Sequence, residues 1–73
     1  MKTTKTQAVL FLYQTLQDKG ILKKNDVLAE LLINSLTFKR YISELRCYFA
    51  NFDPSHDVVY DRKSDTYFLQ KVY

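Results

Sequence analysis

Apolar and polar positions recur along this chain with two periods, and the change from one to the other divides it. Between about Thr4 or Thr6 and Lys19, the residues Val9, Leu12, Tyr13 and Leu16 recur at helical spacing. Thr suits an N-cap, and Gly20 stands where a left-handed C-terminal residue is wanted, so the spacing predicts a first helix within those limits. Leu10 and Phe11 widen the apolar face until little of the middle turn is polar. Such a helix must be buried on most sides or covered by a second protein. Ile21 and Leu22 follow as a short extended piece. Asn25 or Asp26 can cap a second helix with Leu28, Leu31 and Leu32 inward and Glu30 outward. This helix is expected to end near Ile33, because Asn34 and Ser35 form turns and caps rather than propagate a helix.

A third helix begins at once, with Asn34 or Ser35 as its cap. Phe38, Ile42, Leu45 and Phe49 recur at steps of four, three and four, which is one continuous inward stripe. Tyr41 and Tyr48 flank the stripe, and Lys39, Arg40, Ser43, Arg46 and Cys47 fall largely outside it. The helix should stop near Ala50 or Asn51, ahead of Pro54. Beyond Pro54 the period becomes two. Residues 58–62 and 66–70 read as strands joined by Lys63, Ser64 and Asp65, with Val58 and Tyr60 on the side of Tyr67 and Leu69. An isolated hairpin is marginal, so this one must close over the helices. Three helices followed by a C-terminal β-hairpin is an α+β layout, that of a winged helix-turn-helix. It occupies a single domain, 1–73, with a basic N-terminal arm at 1–5.

Composition narrows the class. Of the 73 residues, 47% are hydrophobic and 15% aromatic, which is globular rather than disordered. One glycine and one proline exclude collagen-like and low-complexity readings. The single cysteine excludes an internal disulfide and a Cys-rich zinc site, so further stability is expected from helix packing or a partner subunit. The longest apolar run, residues 8–13, is far short of the roughly 20 that a bilayer span needs. The start of the chain has no adequate apolar region or small-residue cleavage site for a signal peptide, and a cytoplasmic location is expected. A net charge of +3 favours an anionic polymer as partner without demanding one.

Residues 28–45 carry a more specific likeness. Leu28-Ala29-Glu30 in the second helix, then Thr37, Phe38, Arg40, Ile42 and Leu45 in the third, resemble the helix-turn-helix of DeoR-type and WYL-type bacterial transcriptional regulators. Tyr60-Asp61-Arg62-Lys63 and Tyr67 with Leu69 are similar to the wing of the same regulators. Together the matches span roughly residues 6 to 71. The turn is one residue shorter than theirs and lacks its glycine, and Tyr41 replaces an acidic residue. The effector domain that usually follows is absent from this sequence, so ligand sensing is not implied.

A recognition helix presents its outward, N-terminal residues to the major groove. Here those are Ser35, Leu36, Lys39, Arg40 and Ser43. Lys39 is placed to reach guanine O6 and N7, and Leu36 to meet a thymine methyl, while Ser35 and Thr37 can cap the helix or donate to phosphate. Arg40 fits a phosphate contact or an internal salt bridge, and Arg46 a phosphate contact or an ordinary solvated position. Arg62 and Lys63 at the hairpin tip can reach flanking phosphates or the minor groove, or guard an edge strand. Lys2 and Lys5 form an arm that can reach a phosphate or fray.

Other polar groups read as structural. His56 between Asp53 and Asp57 matches no metal-ligand spacing, and Cys47 lacks an activating neighbour and reads as a partly buried filler. Tyr60 and Tyr67 are better placed as cross-strand partners than as base-stacking platforms. No glycine-rich phosphate loop, metal set or catalytic constellation is present, so no enzyme activity and no cofactor are expected.

The sequence therefore points to sequence-specific binding of double-stranded DNA and transcriptional regulation. The recognition helix would span about 35–50 and the wing 58–70. A single module covers a small footprint of about 600–1,000 Å². A homodimer, or membership of a larger regulator, follows, with Leu10, Phe11, Tyr13, Phe68, Val72 and Tyr73 as expected dimer contacts. The alternative is a winged helix used for protein contact, of the kind found in small phage or mobile-element proteins. Leu36 at the recognition-helix start and Tyr41 in place of an acid speak for it.

Overall fold

The computed structural model describes residues 3–72. The first helix, α1, spans Lys5–Lys19. Thr4 caps it through a reciprocal box: the Gln7 N–H donates to Thr4 Oγ1 and the Thr4 N–H to Gln7 Oε1, both at 3.2 Å. Gly20 ends it in the left-handed region at φ 74°, its N–H donating to the Leu16 carbonyl. That conformation is one that only glycine adopts without steric cost. Leu12 and Leu16 are buried as expected, and so is Ala8. Val9 and Tyr13 are half-buried against the core.

Strand β1, Ile21–Lys23, runs straight into α2, Lys24–Leu31. The second helix thus begins before Asn25 and Asp26, the expected caps. Its N-cap is Lys23, which makes no side-chain capping bond. Pairing of Lys23 with Thr66 in the sheet sets where the helix must start. Its inward residues are Val27 and Leu31, with Leu28 half-buried. Leu32, expected inward, is instead 74% exposed. The helix ends at Leu31, and Leu32 takes a left-handed conformation (φ 56°) that turns its side chain outward. Ile33 replaces it against the core.

Helix α3 spans Ser35–Phe52, one position past the expected end near Ala50 or Asn51. Asn34 is the cap, its Oδ1 accepting the Thr37 N–H at 2.8 Å. Phe38, Ile42, Leu45 and Phe49 are all buried, so the four-three-four stripe is the centre of the core. Cys47 is exposed rather than partly buried.

Strands β2, His56–Asp61, and β3, Thr66–Lys71, pair antiparallel with Val58 opposite Leu69 and Tyr60 opposite Tyr67. The connection is a four-residue turn, 62–65, one longer than expected, with Asp65 left-handed at φ 53°. β1 adds to the free side of β3 and makes a three-stranded sheet of order β1-β3-β2. Leu22 opposite Tyr67 shares the inner face with Leu69 and Val58. Tyr67 sets its ring edge-on to Phe38 of α3, with centroids 5.2 Å apart. The sheet therefore closes over the helices, and the architecture is α+β and winged-helix-like.

Candidate nucleic-acid interface

The α2–turn–α3 unit leaves one side of α3 facing outward, and the β2–β3 hairpin stands beside that side. Between them lies an open groove of about 790 Å³. Lys39, Ser43, Arg46 and Cys47 line it from α3, and His56, Asp57, Tyr60 and Tyr67 from the hairpin. The Tyr60 and Tyr67 rings pack at 4.7 Å, so the two tyrosines are cross-strand partners as their register requires. The walls His56, Asp57, Tyr60 and Tyr67 were not among the expected contact residues. The two-residue period of Tyr60 and Tyr67 was legible, but β2 begins at His56, two residues ahead of the expected strand, and its helix neighbour was not legible.

The cations differ in how free they are. Lys39, Arg40, Arg62 and Lys63 are exposed, and none takes part in a salt bridge among the described residues. For Arg40, the internal salt bridge is thus not formed. Arg46 is held: its Nε lies 3.4 Å from Asp57 Oδ1 and its Nη2 3.5 Å from Oδ2. Lys5 belongs to the first turn of α1 rather than to an arm, with Nζ 3.1 Å from Glu44 Oε1. Lys2 lies outside the described residues.

At the start of α3, Ser35 is half-buried and Leu36 is 61% exposed. Thr37 commits its N–H to Asn34, while Ser43 is exposed one turn beyond Lys39. At the hairpin tip both acids beside the cations are drawn into the turn. Asp61 accepts the Lys63 N–H at 3.1 Å and the Ser64 hydroxyl at 2.8 Å. Asp65 accepts the Tyr60 hydroxyl at 2.6 Å, a bond to a carboxylate that raises the Tyr60 pKa above the ordinary phenol value. Partial burial, then the charge of Asp65, raises that of Tyr67. These bonds fix the tip so that Arg62 and Lys63 project from a shaped turn.

At the other end of β2, Asp53, Ser55 and His56 form a cluster. Ser55 Oγ donates to Asp53 Oδ1 at 2.7 Å, and His56 Nδ1 lies 3.0 Å from Asp53 Oδ2. Hydrogen bonding from Ser55, then His56, holds the Asp53 carboxyl below its usual range. The serine and the aspartate approach the same ring nitrogen, since Ser55 Oγ is 3.1 Å from Nδ1. A nucleophile relay needs one partner on each nitrogen, so this cluster is a turn lock between α3 and β2. Among the described residues no group of three His, Cys, Asp or Glu side chains is placed to hold a metal ion. No described helix is long and apolar enough to cross a membrane.

The expected dimer contacts do not form one surface. Leu10 and Tyr13 lie together on the α1/α3 side. Phe11 borders a separate hollow with Ile21, and Phe68 lies opposite Ile21 and Val59 in the sheet. Val72 lines the groove, and Tyr73 is outside the described residues.

Comparison of the chain with protein families, with curated proteins and with solved structures finds no match. The topology is that of a winged helix-turn-helix in general, and nothing in it singles out the DeoR-type or WYL-type regulators.

Proposed function

We propose that this chain binds double-stranded DNA with sequence preference and serves as a transcriptional regulator or the DNA-binding domain of one. The observation that carries the reading is the groove between α3 and the hairpin with Lys39 in its wall, together with Arg40 on α3 and Arg62 and Lys63 at the hairpin tip, all exposed and in no salt bridge among the described residues. α3 enters the major groove by its N-terminal half. Lys39 donates to guanine O6 and N7, and Leu36 meets a thymine methyl. Arg62 and Lys63 take flanking phosphates, which position the domain without reading bases. Ser35, Thr37, Arg40 and Ser43 contact the backbone at the helix mouth. On this reading the chain needs no cofactor and performs no catalysis.

The test is a mobility-shift titration against a randomised duplex pool at about 0.1 M salt, a concentration at which nonspecific phosphate binding is weakened. Sequencing of the retained fraction should give an enriched motif. Absence of retention, or retention without enrichment that vanishes at moderate salt, would overturn the reading. It would turn attention to Leu32 and Leu36 as contacts for a protein partner.

A further inference from the structure

Three aromatic rings lead from the core to the groove between α3 and the hairpin. Phe38 of α3 is fully buried, Tyr67 of β3 stands edge-on to it at 5.2 Å, and Tyr60 of β2 packs on Tyr67 at 4.7 Å. Tyr60 ends this series 43% exposed, in the groove wall. Its hydroxyl donates to Asp65 at 2.6 Å, so the ring is held at its far end as well as by Tyr67. What Tyr60 offers to the groove is therefore aromatic carbon fixed in position.

The opposite wall carries cations. Lys39 and Arg46 line the groove from α3. Seven residues apart, they stand on nearly the same side of the helix and about 10 Å apart along its axis. Lys39 is in no salt bridge among the described residues. Arg46 meets Asp57 through Nε and Nη2, which leaves Nη1 without a hydrogen bond among the described residues. Asp57, the one acid among the lining residues, is engaged by Arg46 and by the Val58 N–H. A fixed, exposed ring facing cations suits a nucleic-acid strand whose bases are unstacked. In an intact duplex the bases cover one another's faces and show only their edges, so none can lie on Tyr60.

From these observations we infer that the groove holds an unpaired stretch of DNA, with a base on the Tyr60 ring and a phosphate on Arg46. Lys39 stands where the paired part begins. The preferred target is then a duplex that continues into an unpaired strand. This inference rests on the proposed DNA reading and deepens it: the start of α3 and the hairpin tip hold the paired part, and the groove between them holds the unpaired part.

The test is a fluorescence-anisotropy titration of the full chain at about 0.1 M salt with three probes. These are a mixed-sequence blunt duplex, the same duplex with a short single-stranded overhang, and that overhang made abasic, which keeps its phosphates and removes its bases. The overhang should tighten binding at least about fivefold over the blunt duplex, and the abasic overhang should lose most of that gain. Tyr60→Leu should bring the ratio of overhang to blunt affinity close to one, while Tyr60→Phe, which keeps the ring, should preserve it. Circular dichroism checks that both variants are folded. In the unaltered chain, 2-aminopurine placed in the overhang should change its fluorescence on binding, as a base does when it stacks. Equal affinity for blunt and overhang duplexes, or full gain from the abasic overhang, overturns this inference and leaves the duplex reading standing. Binding of the overhang probe without any binding of the blunt duplex overturns the duplex reading and supports the groove. Binding of no probe overturns both.

Discussion

Arg46 of α3 and Asp57 of β2 face each other fork to fork, at 3.4 and 3.5 Å, within the groove that separates helix from hairpin. Asp57 Oδ1 also accepts the Val58 N–H at 2.8 Å, so the carboxylate is fixed by its own strand. Arg46 is exposed and Asp57 partly so, and a solvated pair of this kind is worth less than about 1 kcal/mol. Its consequence is one of position: it bridges α3 and the hairpin and engages a cation that would otherwise face the groove.

Asp57→Asn should therefore change stability by no more than about 1 kcal/mol in urea denaturation. It should also tighten binding to every duplex and steepen the salt dependence, because Arg46 is released and a negative charge leaves the groove. Unchanged DNA affinity in Asp57→Asn would show that Arg46 does not face the backbone.

Lys39→Ala is expected to relax preference at one base position at a cost of about 1–3 kcal/mol against the preferred sequence. Arg62→Ala and Lys63→Ala should weaken all sequences alike, each flattening the slope of log affinity against log salt by about 1. Salt-dependent titrations on matched and mismatched duplexes separate the two patterns. Full binding by the triple variant would sink the assigned interface.

Leu32 sits left-handed at φ 56° with its side chain in solvent, so it bears a steric cost and gains little burial. That conformation costs an ordinary L-residue about 1–2 kcal/mol, while glycine's greater freedom when unfolded returns about 0.4–1 kcal/mol. Leu32→Gly should thus stabilise the domain by up to about 1 kcal/mol, read as a higher denaturation midpoint at constant m. A destabilised Leu32→Gly would mean that the leucine side chain holds the corner.

Asp53 titrates low because Ser55 and His56 hydrogen-bond to it. A carboxyl depressed in the folded state contributes stability that is present above its unfolded pKa of about 3.9 and lost as pH falls through the folded value. NMR titration should place Asp53 below its ordinary range in the native chain and move it upward in Ser55→Ala. The difference in stability between the two chains should fade as pH falls from about 4 through the lower folded value, beneath which the carboxyl is protonated in both states. An Asp53 titration that Ser55→Ala leaves unmoved would remove Ser55 as the main cause.

Phe38 is fully buried and carries Tyr67 of the sheet on its ring. Phe38→Ala should cost about 3–5 kcal/mol, a large part of what a domain of this size possesses. Thermal melting should show loss of a cooperative transition or a large fall in midpoint. A mild effect would place the hairpin's anchorage elsewhere.

The limits of α1, the start of α3 and the buried stripe of α3 were legible because they follow from bonds and faces within a few residues. Thr4 with Gln7, Asn34 with Thr37 and the left-handed Gly20 are local devices. The stripe from Phe38 to Phe49 and the pairing of Val58 with Leu69 depend only on period. Candidate contact residues on α3 and at the hairpin tip were legible for the same reason.

Tertiary structure decided what lies between elements distant in the chain. β1 pairs with β3 across more than forty residues, and that pairing starts α2 at Lys24 ahead of the polar residues that looked like its cap. The left-handed corner at Leu32 turned an apparent core leucine outward. The partners of Arg46 and Lys5, and the separation of Leu10 from Phe11 onto different surfaces, also rest on which element packs beside which. Periodicity specifies that a face is apolar or charged; only the approach of a second element specifies what covers it, because that free energy belongs to the contact and not to either segment alone.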